Sequence, residues 1–221
     1  MNLSQTFSIQ RLSSTAESRY DIFKRRFDLI LAVLAILLLW PLYLLVAVLV
    51  KLDSRGPVIF RQQRLGRDGR TFVLLKFRTM QACGETEFVQ MLDSKPIYRR
   101  QWEQYQKLQN DPRMTRVGVF LRRFSLDELP QIINVLRGEM SLVGPRPILP
   151  EQRVQYGNAY SEYILVSPGM TGLWQVEGRN RISFAERVLW DQAYLGKRSL
   201  TQDLAILVRT MRVVLSGEGA Y

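Results

Sequence analysis

Two adjacent carboxylates, Asp127 and Glu128 in the run Ser125-Leu126-Asp127-Glu128-Leu129-Pro130, are the strongest candidates for chemistry in this chain. It has no histidine and one cysteine, Cys83. Ser-His-Asp and Cys-His nucleophiles and His-ligated zinc are therefore excluded, as are internal disulfides and Cys-x-x-Cys metal clusters. The lone cysteine fits a reducing, cytosolic face. What remains is carboxylate, Lys, Arg, Tyr and hydroxyl chemistry, with a hard cation such as magnesium. Ser125-x-x-Glu128 has the spacing of a capping box, in which Glu128 reaches back to the Ser125 N–H and Asp127 merely complements the helix dipole. The alternative is catalytic. A helix start stabilises an ionised carboxylate and offers N–H groups to a phosphate, and an ionised Asp can attack phosphorus. Attack on an anionic diphosphate requires cations, and Arg122, Arg123, Arg137 and Arg146 lie nearby in sequence. A magnesium ion held by Asp127 and Glu128 would complete the neutralisation.

Other segments carry candidate binding groups. In Gly144-Pro145-Arg146-Pro147, Pro145 and Pro147 each fix a φ angle, so the loop is stiff enough to aim the Arg146 guanidinium at a phosphate. In Leu75-Lys76-Phe77-Arg78-Thr79-Met80, cations alternate with apolar residues at strand spacing, which nominates Lys76 and Arg78; an exposed strand charge is the bland reading. The Gly-rich stretch Pro168 to Asn180 permits close backbone approach and adds Trp174, Gln175 and Arg179 as groups that could recognise a nucleotide. Neither a GxxxxGK[ST] nor a GxGxxG fingerprint occurs, which argues against a P-loop or Rossmann site.

The elements that must position these groups begin with an uncharged apolar run from Leu29 to Val50, enough for about 30 Å of helix. It is too long and too far from the start to be a signal peptide. An ordinary spanning helix is one reading. Pro41 just past the middle, and basic residues at both ends (Lys24-Arg25-Arg26 and the cluster from Lys51), suit a hairpin that enters one leaflet and returns to the cytoplasm. Residues 1–23 read as a mobile tail, 24–51 as the anchor and 52–221 as a cytoplasmic catalytic domain. Within that domain, alternation around Gly66-Arg67-Asp68-Gly69 predicts a β-hairpin over Pro57–Met80. Surface helices are expected over Thr86–Leu108, and further helices over Gly118–Arg123, Leu126–Leu136, Ser183–Tyr194 and Leu200–Leu215. The last carries Leu204, Leu207, Val208, Met211 and Leu215 on one side, suited to packing or to a membrane interface. The fold class is mostly α (α+β): a re-entrant helix-hairpin, a small β-hairpin and a compact helical domain on the membrane surface.

Charge agrees with that placement. Between Lys51 and Met80 there are eight Lys or Arg against two acids, so more than half of the net +11 follows the apolar run directly. Such a cluster attracts anionic lipid and phosphate-bearing substrates. Nucleic acid is the other usual partner of a basic chain, but no recognition-helix, RNP or zinc-finger pattern is present, and none is expected as a partner.

Four motifs occur in an order that resembles the bacterial sugar transferase family, the monotopic phosphoglycosyl transferases: Lys76-Phe-Arg-Thr-Met80, Ser125-Leu-Asp-Glu-Leu-Pro-Gln131, Ser141-Leu-Val-Gly-Pro-Arg-Pro147 and Pro168-Gly-Met-Thr-Gly-Leu-Trp-Gln-Val176. The resemblance covers about Lys24 to Tyr221 and is closest to short members that lack a multispanning N-terminal domain and begin exopolysaccharide or O-antigen units. It implies a re-entrant anchor in a bacterial inner membrane, with Trp40-Pro41 at the bend where the family commonly has Ser-Pro. It also implies transfer of a hexose 1-phosphate, galactose or glucose, from a UDP-sugar to polyprenyl (undecaprenyl) phosphate with release of UMP. Asp127 would be the nucleophile and Glu128 its partner, holding Mg2+ or activating the acceptor. Arg122 and Arg146 would contact phosphate, with Lys76 close to the site. Inner-membrane lipid is the expected surroundings, and a homodimer is compatible with this reading. A nucleotide-diphosphate-sugar hydrolase and a non-catalytic membrane adaptor remain the alternatives.

Overall fold

A computed structural model describes residues 3–81, 84–105, 108, 111–177 and 182–216. Helix α1 runs from Leu3 to Asp53. No glycine interrupts this stretch, and its only proline is Pro41. The segment expected as an aperiodic tail is thus helical from Leu3. The anchor expected as two helices with a bend between them is one continuous helix through Pro41. A proline removes a single backbone hydrogen bond, whereas a full break would strand several polar groups among apolar side chains.

One face of α1 packs on the rest of the protein at helical spacing. Ala32 joins Phe72, Leu74, Ile132, Val135 and Met140 in one core cluster. Val46 and Val50 join Phe77 and Leu121 in another. Polar ties reinforce both flanks. Lys24 Nζ lies 2.6 Å from buried Asp203, which also accepts from the hydroxyls of Tyr20 (2.9 Å) and Tyr194 (2.8 Å). Arg25 donates to the Val135 and Leu136 carbonyls, and buried Asp28 accepts from the Ser141 hydroxyl at 2.7 Å. At the other end Asp53 accepts from the Val117 N–H at 2.9 Å. The opposite face, including Val33, Leu37, Leu38, Trp40, Leu44 and Val48, is exposed.

The expected hairpin is present: β1 (Ile59–Leu65) and β2 (Thr71–Phe77) pair antiparallel, with Ile59 opposite Phe77 and Leu65 opposite Thr71. Asp68 in the connection has φ 59°, a left-handed conformation Asp tolerates. Surface helices α2 (Glu85–Ser94) and α3 (Pro96–Tyr105) follow as expected. Helix α4 (Arg116–Arg123) begins two residues earlier than the sequence suggests, because the Thr115 hydroxyl caps it by accepting from the Gly118 N–H.

The helix expected over Leu126–Leu136 is divided. One 3-10 turn covers Leu126–Glu128, and α5 (Gln131–Arg137) starts after Pro130. Asn134 of α5 is fully buried and serves the free edge of β2: its Oδ1 accepts from the Leu75 N–H at 3.1 Å, and its Nδ2 donates to the Val73 carbonyl at 2.7 Å.

Strands β3 (Ser141–Val143) and β4 (Gly169–Thr171) form a short parallel pair that sequence patterning did not reveal. Its glycines have a steric cause. A Cβ on Gly169 would sit 2.1 Å from the Gly144 nitrogen. Short helices α6 (Arg153–Tyr156), α7 (Tyr160–Tyr163) and α8 (Leu173–Glu177) lead to α9 (Phe184–Lys197) and α10 (Leu200–Ser216). On α10, Ile206 and Asp203 are buried while Leu204, Val208, Met211 and Leu215 are exposed.

Asn134→Ala leaves the Leu75 N–H and the Val73 carbonyl buried without that partner, a loss of roughly 2–4 kcal/mol. A thermal melt in detergent should show a clear drop, and an unchanged midpoint would refute the edge-pairing role.

Candidate active site

Asp127 and Glu128 lie on the 3-10 turn between α4 and α5. The flanking Leu126 and Leu129 pack into the cluster of Val46, Val50, Phe77 and Leu121, and the Tyr43 hydroxyl of α1 donates to the Leu129 carbonyl at 2.6 Å. The apolar helix thus touches the turn that carries both acids. The capping box is absent. Ser125 takes a left-handed conformation (φ 53°) with no side-chain cap, and only the backbone bond from the Glu128 N–H to the Ser125 carbonyl remains. The box appears instead at Ser183 and Glu186, opening α9.

Glu128 turns toward cations. Lys76 Nζ on β2 lies 2.6 Å from its Oε1 and 3.7 Å from Asp127 Oδ2, and Arg146 Nη1 is 3.7 Å from the same Glu128 oxygen. Burial alone would raise the proton affinity of Glu128, but Lys76 and Arg146 outweigh it and hold the carboxyl below its usual range. Asp127 is 6% exposed. Burial pushes its proton affinity up, Lys76 opposes this, and the charge of Glu128 adds to it. Among the described residues Asp127 pairs with Lys76 and makes no hydrogen bond, so its lone pairs stay uncommitted.

The remaining candidates divide clearly. Arg122 donates from Nε to the Thr79 hydroxyl at 3.1 Å, and its charge acts on both acids. Gly118 allows α4 this close to β2, since a Cβ there would fall 2.0 Å from the Thr79 carbonyl oxygen. Pro145 and Pro147 are buried, and the Tyr163 hydroxyl donates to the Arg146 carbonyl at 3.2 Å, so the loop is pinned as expected. Arg78 is engaged elsewhere: it is buried and donates to the Ser54 carbonyl at 2.6 Å just beyond the end of α1. Its place two residues after Lys76 does not bring it to the acids, because the strand ends at Phe77 and the chain turns toward α1. Gln175 donates to the Met170 carbonyl at 3.2 Å. Arg179 lies outside the described residues.

Sequence reasoning missed a second cationic group beside the first. Trp174 is buried, with the Arg187 guanidinium 4.9 Å and that of Arg146 5.8 Å from its ring centroid. Arg64 donates to the Pro147 carbonyl at 3.3 Å; burial, and then Arg146, push its guanidinium down to about 10. Asp191, four residues after Arg187 on α9, accepts from the Tyr156 hydroxyl at 2.7 Å. Burial pushes Asp191 up to about 7 against the pull of that hydrogen bond and of Arg146 and Arg187. The i, i+4 spacing of Arg187 and Asp191 was the only signal in the sequence, and many surface helices share it.

As a set, these groups can hold a phosphate-bearing anion beside an uncommitted carboxylate. A family model described as bacterial sugar transferase matches residues 19–217. An uncharacterized sugar transferase of Haemophilus influenzae is 46% identical over 213 residues, covering 96% of this chain and 45% of that protein. The exopolysaccharide production protein ExoY of Sinorhizobium fredii is 45% identical over 200 residues, covering 90% of this chain and 88% of that one. An undecaprenyl-phosphate galactose phosphotransferase of Salmonella typhimurium is 43% identical over 213 residues, 96% of this chain and 44% of its own length. The chain thus spans under half of the Haemophilus and Salmonella relatives and most of the Sinorhizobium one.

Two outcomes follow from the electrostatics. Lys76→Met removes the cation that holds Glu128 ionised and opposes the rise at Asp127. Activity should fall by about 100-fold or more, and the acid limb of the pH–rate profile should move to higher pH; an unmoved limb contradicts the assignment. Asp191 binds its proton more tightly folded than unfolded, so its contribution to stability declines as pH rises from 3.8 through about 7 and is flat above. Asp191→Asn keeps an acceptor for Tyr156 without that decline. Its melting temperature should exceed wild type at pH 8 and match it near pH 4.

Proposed function

The chain belongs to the bacterial sugar transferase family, and on that premise we propose that it moves a hexose 1-phosphate from a UDP-sugar to undecaprenyl phosphate, releasing UMP, through a covalent intermediate on Asp127. The observation that carries this reading is the contrast within the carboxylate pair: Glu128 is committed to Lys76 at 2.6 Å, while buried Asp127 keeps its lone pairs uncommitted on a turn that touches the apolar helix. An Asp127 oxygen attacks the sugar-side phosphorus and forms a P–O bond. The bond to the bridging oxygen breaks, and UMP leaves with the electron pair. A phosphate oxygen of the acceptor then attacks the same phosphorus, and the aspartyl P–O bond breaks, which restores Asp127. Lys76, Arg122 and Arg146 offset the charge that builds up on the phosphoryl oxygens.

Magnesium suits this donor set. Carboxylate oxygens are hard ligands, and this ion is commonly held by one or two of them together with substrate phosphates. Among the described residues no third acid joins the pair, so Asp127 and Glu128 would hold the ion and substrate would complete its shell. Bound there, it would supply charge neutralisation at the diphosphate.

An anchor confined to one leaflet is part of the proposal. A helix that crosses a bilayer would carry Asp28 and Asp53 to opposite sides, yet Asp28 is tied to Ser141 and Asp53 to Val117 of the same domain. The acceptor's polyprenyl chain can then stay in lipid beside the exposed face of α1 while its phosphate reaches Asp127. The basic flanks favour the cytoplasmic face of the inner membrane, where a UDP-sugar donor is met. Galactose, the sugar in the Salmonella relative's name, or glucose is the proposed hexose, and exopolysaccharide or O-antigen initiation the proposed context.

Asp127→Asn should abolish UMP release and labelling of the protein by a radiolabelled donor, while membrane association persists. Retained release in that variant would remove Asp127 as nucleophile. Release of sugar 1-phosphate to water without acceptor and without labelling would favour a hydrolase instead. Cysteines placed at both flanks of α1 should react with a reagent from the same side of the membrane, and labelling from opposite sides would refute the single-leaflet anchor.

A further inference from the structure

The cluster around Trp174 has polar groups left over. Among the described residues Nε of Arg187, Nε1 of Trp174 and Oδ1 of Asp191 are buried with no hydrogen-bond partner, as is Nε of Arg64, whose charge acts on Arg146. Interiors rarely leave such groups unpaired, and several together call for an outside partner. The charges are out of balance as well. Arg146 and Arg187 act on one nearby carboxylate, Asp191, which is already engaged by the Tyr156 hydroxyl, while Arg64 feels only the more distant charges of Glu128 and Glu151. Glu128, the other acid near Arg146, is claimed at shorter range by Lys76. Surplus positive charge together with unpaired N–H donors makes an anion site.

Trp174 sets the geometry of that site. The sequence nominated its indole for nucleotide recognition, but the ring is buried with two guanidinium groups within 6 Å of its centroid. It serves as a platform that positions both arginines through cation–π contact and leaves their N–H edges free for a ligand. Arg146 belongs to both clusters, touching Glu128 on one side and Trp174 on the other. An anion that uses the whole arrangement therefore has two charged centres, one at Asp127 and one farther along, between Arg146 and Arg187. That is the shape of a diphosphate.

We propose that Arg187, held with Arg146 on the Trp174 indole, binds the nucleotide-side phosphate of the diphosphate donor and keeps its grip on the nucleoside monophosphate after the P–O bond breaks. This rests on the phosphoglycosyl transfer reading above and adds a binding residue from α9 that none of the four sequence motifs contains.

The test is UMP binding to the full-length protein in detergent, by calorimetry, for wild type, Arg187→Gln and Arg187→Lys. Losing a charge-assisted contact should weaken UMP, and raise the donor KM, by about tenfold or more in Arg187→Gln, and by less in Arg187→Lys. The acceptor KM should stay within about threefold of wild type, which a general loss of structure would not spare. If wild type binds UMP and Arg187→Gln binds it equally well, the Arg187 assignment fails and the transfer reading stands. If wild type binds neither UMP nor any UDP-sugar, the transfer reading fails and this inference with it. Should the variants not fold, phenylglyoxal modification of wild type decides. UMP, but not uridine, should protect Arg187, and equal modification with and without UMP overturns the assignment.

Discussion

The ion pair between Lys76 and Glu128 is the contact on which the rest of the site depends. At 2.6 Å and largely shielded from water, it ties the 3-10 turn to β2 and leaves Asp127, 3.7 Å from the same lysine, as the more loosely held member of the pair. Breaking such a pair strands a charge in a poorly solvated place, so the turn has a strong reason to stay put. Strand β2 can bear that role because it is held from three sides: by β1, by the Asn134 amide on its other edge, and by Phe77 against α1 and Leu121. The residues that follow extend the same logic. Arg78 reaches the end of α1 and Thr79 orients Arg122, so one short segment addresses the acids, the apolar helix and Arg122.

Helix α1 is therefore more than an anchor. Its buried face supplies Ala32, Val46 and Val50 to two core clusters, and Tyr43 bonds directly to the carbonyl of Leu129, two residues beyond Asp127. Its exposed face is apolar and suited to lipid. The same helix thus forms part of the core on one side and the proposed membrane contact on the other. Helix α10 repeats this division on a smaller scale, with Asp203 and Ile206 inside and Leu204, Val208, Met211 and Leu215 outside.

Much of the architecture was legible from local pattern. The β-hairpin around Gly66–Gly69, the surface helices, α9 and α10 all follow from periodicity and turn residues that act over a few positions. Misreadings arose where local rules allowed two answers. Ser125-x-x-Glu128 and Ser183-x-x-Glu186 have identical capping spacing, but only the second forms the box, because Glu128 turns to a cation from a distant strand while Glu186 bonds back to Ser183. Lys76 and Arg78 look equivalent in sequence, yet one turns to the acids and the other to the carbonyls at the end of α1.

By itself the sequence determined the kinds of element, the apolar helix, the basic surroundings and the residue types open to chemistry, since these depend on composition and on neighbours three or four positions apart. Only the tertiary structure decided which carboxylate is committed, that Arg78 meets the Ser54 carbonyl, and that Arg187 converges with Arg146 beside Trp174. Those outcomes rest on contacts between residues tens of positions apart, where burial and the nearest opposite charge, rather than spacing along the chain, set what a side chain does. The pair of acids that stood out first is thereby resolved into one anchored carboxylate and one uncommitted one.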